Sequence, residues 1–401
     1  MPDTGRAVLG SHMMLGVVLM ATGFLQFWPA FRRRHRKIHR ITGVVYIVTV
    51  FTSMTLSGVH LINSGIANTY DTYTFHIGLW TMLIGVVFSV SMASVAILRK
   101  KVAVHMGWQA IGFGFLLTAP FQRADWIFLA PLAGDLSFNE MNTLVNTLLF
   151  VQVTLIAYVL FLLNRGSSAL RSKEISLTAL SPRLYLGGFL ALSIICLFTL
   201  APLLTVNSLA DIFILQRMIP EQALSHFANE VNGVPGILFA FTLALTMFFA
   251  WVKLNNLRNG QLQKTSNDYV LWGSSIVAGL TCLFLAYKLG MPNHAHGVAG
   301  SGFLVLGFLV FLFFGLFAWK QRKGESGKAV EWLQFLLLAS MSPTLFATNI
   351  FVLDFFSLVP ERYLSQAVAL ELSTINAVFI PVVGGFILSI YSDETSRYSV
   401  S

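Results

Sequence analysis

Charge is what this sequence has least of. Only 11% of its 401 residues are Asp, Glu, Lys or Arg, against 56% hydrophobic, where a soluble globular chain carries roughly 25% charged residues. That deficit excludes an ordinary water-soluble domain. Cysteine is nearly absent as well. Cys196 and Cys282 both fall inside apolar runs with no CxxC spacing, which excludes a disulfide framework and a thiolate zinc site and leaves two small core hydrophobes. The chain also lacks a P-loop, a dinucleotide-binding glycine fingerprint, a GxSxG elbow and an HExxH helix, so no soluble catalytic or nucleotide-driven module is legible.

What remains is a series of long apolar runs. Eleven reach the roughly 20 residues that a helix needs to cross a bilayer, near 8–30, 41–62, 76–98, 104–131, 143–163, 184–205, 230–252, 269–289, 297–319, 332–357 and 364–391. They are continuously apolar rather than alternating, so the predicted fold is an all-α polytopic membrane protein. Pro120, Pro343 and Pro381 are expected to kink the spans that hold them.

The net charge of +9 has a topological origin. Basic residues crowd the connections after the first, third, fifth, seventh and ninth spans, most densely at Arg32, Arg33, Arg34, Arg36, Lys37 and Arg40. The positive-inside rule makes that face cytoplasmic, the amino terminus periplasmic and the carboxyl terminus cytoplasmic in a bacterial inner membrane, and removes nucleic acid as a partner. The basic cluster follows the first apolar run instead of preceding it, so that run is expected to persist as a span rather than be removed as a signal peptide.

A weak internal repeat divides the chain. Ser11-His12 is echoed by Ser225-His226, His76-Ile77-Gly78 by His296-Gly297, and the Lys101–His105 stretch by Lys328–Glu331. The expected organisation is an N-terminal repeat over 1–165, a linker with one span over 166–222, and a C-terminal degenerate repeat over 223–401. The two repeats would run parallel to one another, each an up-down four-helix bundle with an added helix. His39 then corresponds to Asp268 and His105 to Glu331.

Four histidines, His12, His39, His76 and His105, each open one of the first four spans. Consecutive spans are antiparallel, so His12 and His76 are expected at one face and His39 and His105 at the other. Diagonal helices of a bundle present side chains at equal depth, the arrangement that holds haem b by paired imidazoles. Arg123 is expected back at the His12–His76 level as a propionate partner. The alternative is four ordinary headgroup-level histidines. A second constellation, His226 and Glu230 at i, i+4 with His294 and His296 near the same face, is either a metal site or an interfacial hydrogen-bonded cluster. Glu371 is a further intramembrane carboxylate with an ion or proton role open to it.

Two resemblances rest on these residues. Gly23-Phe24-Leu25-Gln26-Phe27-Trp28-Pro29, the run from Arg34 through His39-Arg40 and Gly43 to Tyr46, and His105, Trp108 and Arg123 resemble the motifs of a bacterial membrane-protein family, domain of unknown function 2306. Val44 and Ile111 stand where that family commonly has arginine. The resemblance implies a fold and no activity. The histidine order is similar to that of the transmembrane diheme cytochrome b family that takes electrons from ascorbate. That likeness implies transmembrane electron transfer from a quinol or a periplasmic carrier. A small-solute or metal-ion transporter with a pathway between the repeats, and a non-catalytic subunit or assembly factor of a membrane complex, remain the alternatives.

Overall fold

The computed structural model describes residues 3–66, 72–134, 136–167, 181–205, 218–261, 265–292, 297–298 and 300–398. Its regular elements are helical: α1 (Asp3–Phe27), α2 (Pro29–Arg34), α3 (Arg36–Ser64), α4 (Tyr73–Leu98), α5 (Val102–Leu116), α6 (Thr118–Ala133), α7 (Phe138–Ser167), α8 (Pro182–Thr205), α9 (Glu221–Val231), α10 (Val234–Arg258), α11 (Ser266–Leu289), α12 (Ser301–Arg322), α13 (Ser326–Ser340), α14 (Ser342–Phe355) and α15 (Val368–Tyr398), with a 3-10 turn over Glu361–Gln366. Eight straight helices are long and apolar enough to cross a membrane, and two bent pairs, α5 with α6 and α13 with α14, raise the number to ten. The protein is a multi-pass, all-helical membrane protein.

The surface says the same. Val17, Phe24, Ile41 and Ile62 are each more than 60% exposed. In water such a belt would drive association, whereas in hydrocarbon it is the ordinary outer face of a bundle whose backbone groups are satisfied within each helix.

Two compact units emerge. The first comprises residues 1–127, 152–173 and 390–401, and the second 128–151 and 174–389. In the first, α3 packs on α1 and α4, and α4 packs on α5. Phe113 of α5 closes the ring by stacking among Phe24 and Phe27 of α1. Helices α3 and α5 are therefore diagonal across the bundle. The second unit repeats the circuit, with α10 on α11, α11 on α12, α12 on α13 and α13 back on α10.

The last span of each circuit is broken, by 48° between α5 and α6 and by 48° between α13 and α14. Proline accounts for both breaks. Pro120 and Pro343 lie in the first turn of the second piece and cannot donate to the carbonyls of Leu116 and Ala339 four residues back. The freed turn is served by a hydroxyl instead: Thr118 Oγ1 donates to Phe115 O at 2.8 Å and Ser342 Oγ to Ala339 O at 2.7 Å. Pro381, by contrast, lies inside the continuous helix α15.

Candidate functional site

At the basic end of the first unit, three elements converge. His39 is the fourth residue of α3 and His105 the fourth residue of α5, so each imidazole stands in the first turn of one of the two diagonal helices. The six-residue helix α2, opened by Pro29 and ended at Arg34, folds the basic run back over this end and delivers Arg32. Both His105 and Arg32 act electrostatically on His39, and Arg32 acts on His105.

Each imidazole is held differently. His105 is anchored through Nδ1, which lies 2.9 Å from the carbonyl oxygen of Ala93 on α4. That bond fixes the proton on Nδ1 and leaves the Nε2 lone pair for another partner, the second-shell arrangement that orients a ligating imidazole. His39 keeps Nδ1 shielded from solvent with no hydrogen bond. Gln26 of α1 braces its helix, donating to Thr42 Oγ1 at 2.8 Å and to the His39 carbonyl at 3.4 Å.

Among the described residues Arg32 meets a soft partner alone, the thioether of Met106 at 3.7 Å. Burial, and then the neighbouring Arg33, pull its guanidinium below the ordinary arginine range. No carboxylate among the described residues neutralises this half-buried cation, so the cluster has room in its charge balance for an anion. Two imidazoles with one open ring nitrogen each, beside an unneutralised guanidinium, form a donor set that suits a metal-centred group carrying carboxylates. The sequence marks the two histidines and, as a group, the basic residues flanking them as propionate partners, without separating Arg32 from Arg33, Arg34 and Arg36. The signal that sets Arg32 apart is its place just after Pro29, where the chain must turn back on itself.

The other expected site residues are placed apart from this cluster. His12 on α1 lies with Nδ1 3.0 Å from Ser53 O and 2.9 Å from Ser53 Oγ on α3. His76 accepts a hydrogen bond at Nε2 from the indole of Trp80, one turn along the same helix, at 3.0 Å. Arg123 is exposed and turned onto its own helix, with Nη1 2.8 Å from Ala119 O.

In the second unit, His226 and Glu230 share one face of α9, as their spacing requires. That face meets the end of α11: His226 Nε2 lies 3.1 Å from Leu289 O and Glu230 pairs with Lys288 at 3.2 Å. His294 and His296 lie outside the described residues. Among the described residues, no three His, Cys, Asp or Glu side chains come together as a metal centre would need. Glu371, buried at the start of α15, accepts a hydrogen bond from Thr143 Oγ1 at 3.0 Å.

The positions that the repeat equates with His39 and His105 carry other chemistry. Asp268, the third residue of α11, closes a capping box with Thr265 and takes the ammonium of Lys253 at 2.8 Å in a pair only 2% and 3% exposed. Glu331 of α13 is buried and accepts from Ser389 Oγ at 3.4 Å. Where the first unit gathers imidazoles at its basic end, the second carries an internal ion pair.

Residues 9–162 match the family model described as Predicted membrane protein (DUF2306), which covers the first unit's bundle from α1 to α7. No curated protein and no solved structure matches the chain.

Proposed function

We propose that the first unit is a haem-binding electron-transfer element, with a b-type haem ligated by His39 and His105 at the basic end and Arg32 paired to a propionate. The observation that carries the reading is a pair of imidazoles in the first turns of diagonal helices, near enough to act on one another, one of them oriented by a backbone carbonyl. When bound, the group would supply one-electron chemistry whose potential the surrounding charges set. The protein's part is to fix the ring of His105 through Ala93, to bring His39 up on the braced end of α3, and to present Arg32 to a carboxylate. His12 and His76 have partners of their own in Ser53 and Trp80, which supports reading the ligand pair at the basic end alone.

The positive-inside distribution puts this end on the cytoplasmic side of a bacterial inner membrane, with the amino terminus periplasmic and the carboxyl terminus cytoplasmic. A donor must then reach it from within the bilayer or from the cytoplasm. Quinol fits that route; a periplasmic carrier would need a second redox centre.

The test is a reduced-minus-oxidised absorption spectrum of the full chain, purified in detergent after expression with ample haem. Sharp b-type bands that disappear in both His39→Ala and His105→Ala and persist in the His12→Ala, His76→Ala double variant are the expected result. A colourless wild-type protein overturns the reading. A second reading, a transporter for a small solute or ion, is favoured by the buried Thr143–Glu371 contact in the second unit. It expects a colourless protein whose flux in proteoliposomes is lost in Glu371→Gln.

A further inference from the structure

A separate pair of polar side chains in the first unit has no role in the histidine cluster. Asp125 lies on α6 and is 8% exposed. Gln152 lies midway along α7, 14 residues from its start. Gln152 Nε2 donates to Asp125 Oδ1 at 3.1 Å. The other oxygen of each group, Asp125 Oδ2 and Gln152 Oε1, is shielded from solvent and accepts no hydrogen bond among the described residues.

Two orphaned acceptors on adjacent groups inside a membrane are a strong constraint. An ionised carboxylate there needs a cation or several donors. Among the described residues no charged side chain acts on Asp125, whose surroundings amount to burial and the Gln152 amide. Arg123, two residues away, is exposed and spends a guanidinium hydrogen on Ala119 O. On α7 the nearest charged residues, Glu140 and Arg165, stand 12 and 13 positions from Gln152, about 18 to 20 Å along the helix.

One proton resolves both orphans. A carboxylic acid and a primary amide form a cyclic pair in which the amide N–H donates to the acid carbonyl and the acid O–H donates to the amide carbonyl. The first arm of that ring is already made. We propose that Asp125 and Gln152 are a proton-holding acid–amide pair inside the membrane, with Asp125 Oδ2 carrying a proton that it donates to Gln152 Oε1. The ligand of this site is a single proton, bound without counter-charge and released only if the carboxylate left behind gains a cation or water. The inference stands independently of the haem reading, since none of its atoms belongs to the His39–His105 cluster.

The experiment is infrared difference spectroscopy on the full chain in detergent at neutral pH. The wild-type spectrum is expected to contain a protonated carboxyl C=O band that is missing in Asp125→Asn, a variant whose amide still pairs with Gln152. In Gln152→Leu the same band is expected to persist and move to the higher frequency of an acid without an acceptor. This second variant also decides the matter if Asp125→Asn fails to fold. Loss of a carboxylate band in Asp125→Asn overturns the proposal. So does a band unmoved in Gln152→Leu, or an acid band that appears only after sodium and potassium are removed, which would make the pair a cation site.

Discussion

Single residues in this protein matter most where charge is buried. Lys253 sits among apolar neighbours at the basic end of α10, and its ammonium is held by one carboxylate oxygen of Asp268. The same oxygen lies 3.3 Å from the Thr265 amide and 3.5 Å from Gln321 Nε2. Removing one member of such a pair leaves the other desolvated, which typically costs about 3–5 kcal/mol, while replacing both with apolar groups is often close to neutral. Lys253→Met is therefore expected to destabilise the protein by about that amount, and Lys253→Met with Asp268→Leu to recover most of the loss. Thermal or SDS unfolding in detergent, followed across the four-member cycle, measures the coupling. A purely additive cycle would refute it. The sequence hid this pair for the same reason that it did not single out Arg32. A lysine or arginine near a span end reads as topology, and only the fold shows whether the side chain turns outward or in.

At the scale of elements, the apolar runs carried almost everything. Each of the eleven expected spans coincides with a helix, and ten of them, two as bent pairs, are long and apolar enough among the described residues to cross a membrane. The expected sixth, over 184–205, is not among those ten. In lipid such runs satisfy their backbone only as helices. The prolines add where a span bends: the kinks expected at Pro120 and Pro343 are present as 48° breaks, while Pro381 lies within one continuous helix. The breaks at Leu117 and Met341 interrupt no apolar pattern. They follow from Pro120 and Pro343 together with a hydroxyl one or two residues earlier, while Pro381 lacks such a break. Close helix contacts were silent in the sequence. A Cβ added to Gly114 of α5 would stand 2.7 Å from the Val153 carbonyl of α7 and 2.7 Å from Ala157 Cβ. One of those neighbours is backbone and cannot step aside, so small residues here set how near α5 and α7 approach. Gly114→Ala is expected to cost about 1–3 kcal/mol as an overpacked contact. Gly273 of α11 has open space around it, and Gly273→Ala should instead be neutral or stabilising by up to about 1 kcal/mol through helix propensity. Parallel unfolding curves in one detergent separate the two, and equal effects would sink the close-packing argument.

For the whole molecule, the two units follow the same circuit, break the same helix by the same angle, and differ at their basic ends. One end gathers His39, His105 and Arg32, and the other is filled by Lys253 and Asp268. A duplication of the kind suggested by the echoed histidines would give such a common route, and its sequence signal would be weak because the residues at the two basic ends differ. The four histidines are legible in the sequence because each opens its helix; which of them share a depth is not, since depth depends on how far each helix protrudes, which apolar length alone does not give. An asymmetric molecule of this kind should have an asymmetric redox surface. If the haem lies at the basic end and that end is cytoplasmic, membrane-impermeant ferricyanide should oxidise the dithionite-reduced protein quickly in inside-out vesicles and far more slowly in sealed right-side-out vesicles, with detergent abolishing the difference. One haem per chain is expected, because the second unit's ammonium already neutralises the carboxylate that stands where an imidazole would have to be. Fast oxidation in right-side-out vesicles would reverse the orientation or move the haem to the His12 end. A periplasm-active reporter fused after Leu98 distinguishes these, being active if the basic connections face the periplasm and silent if only the haem position is wrong.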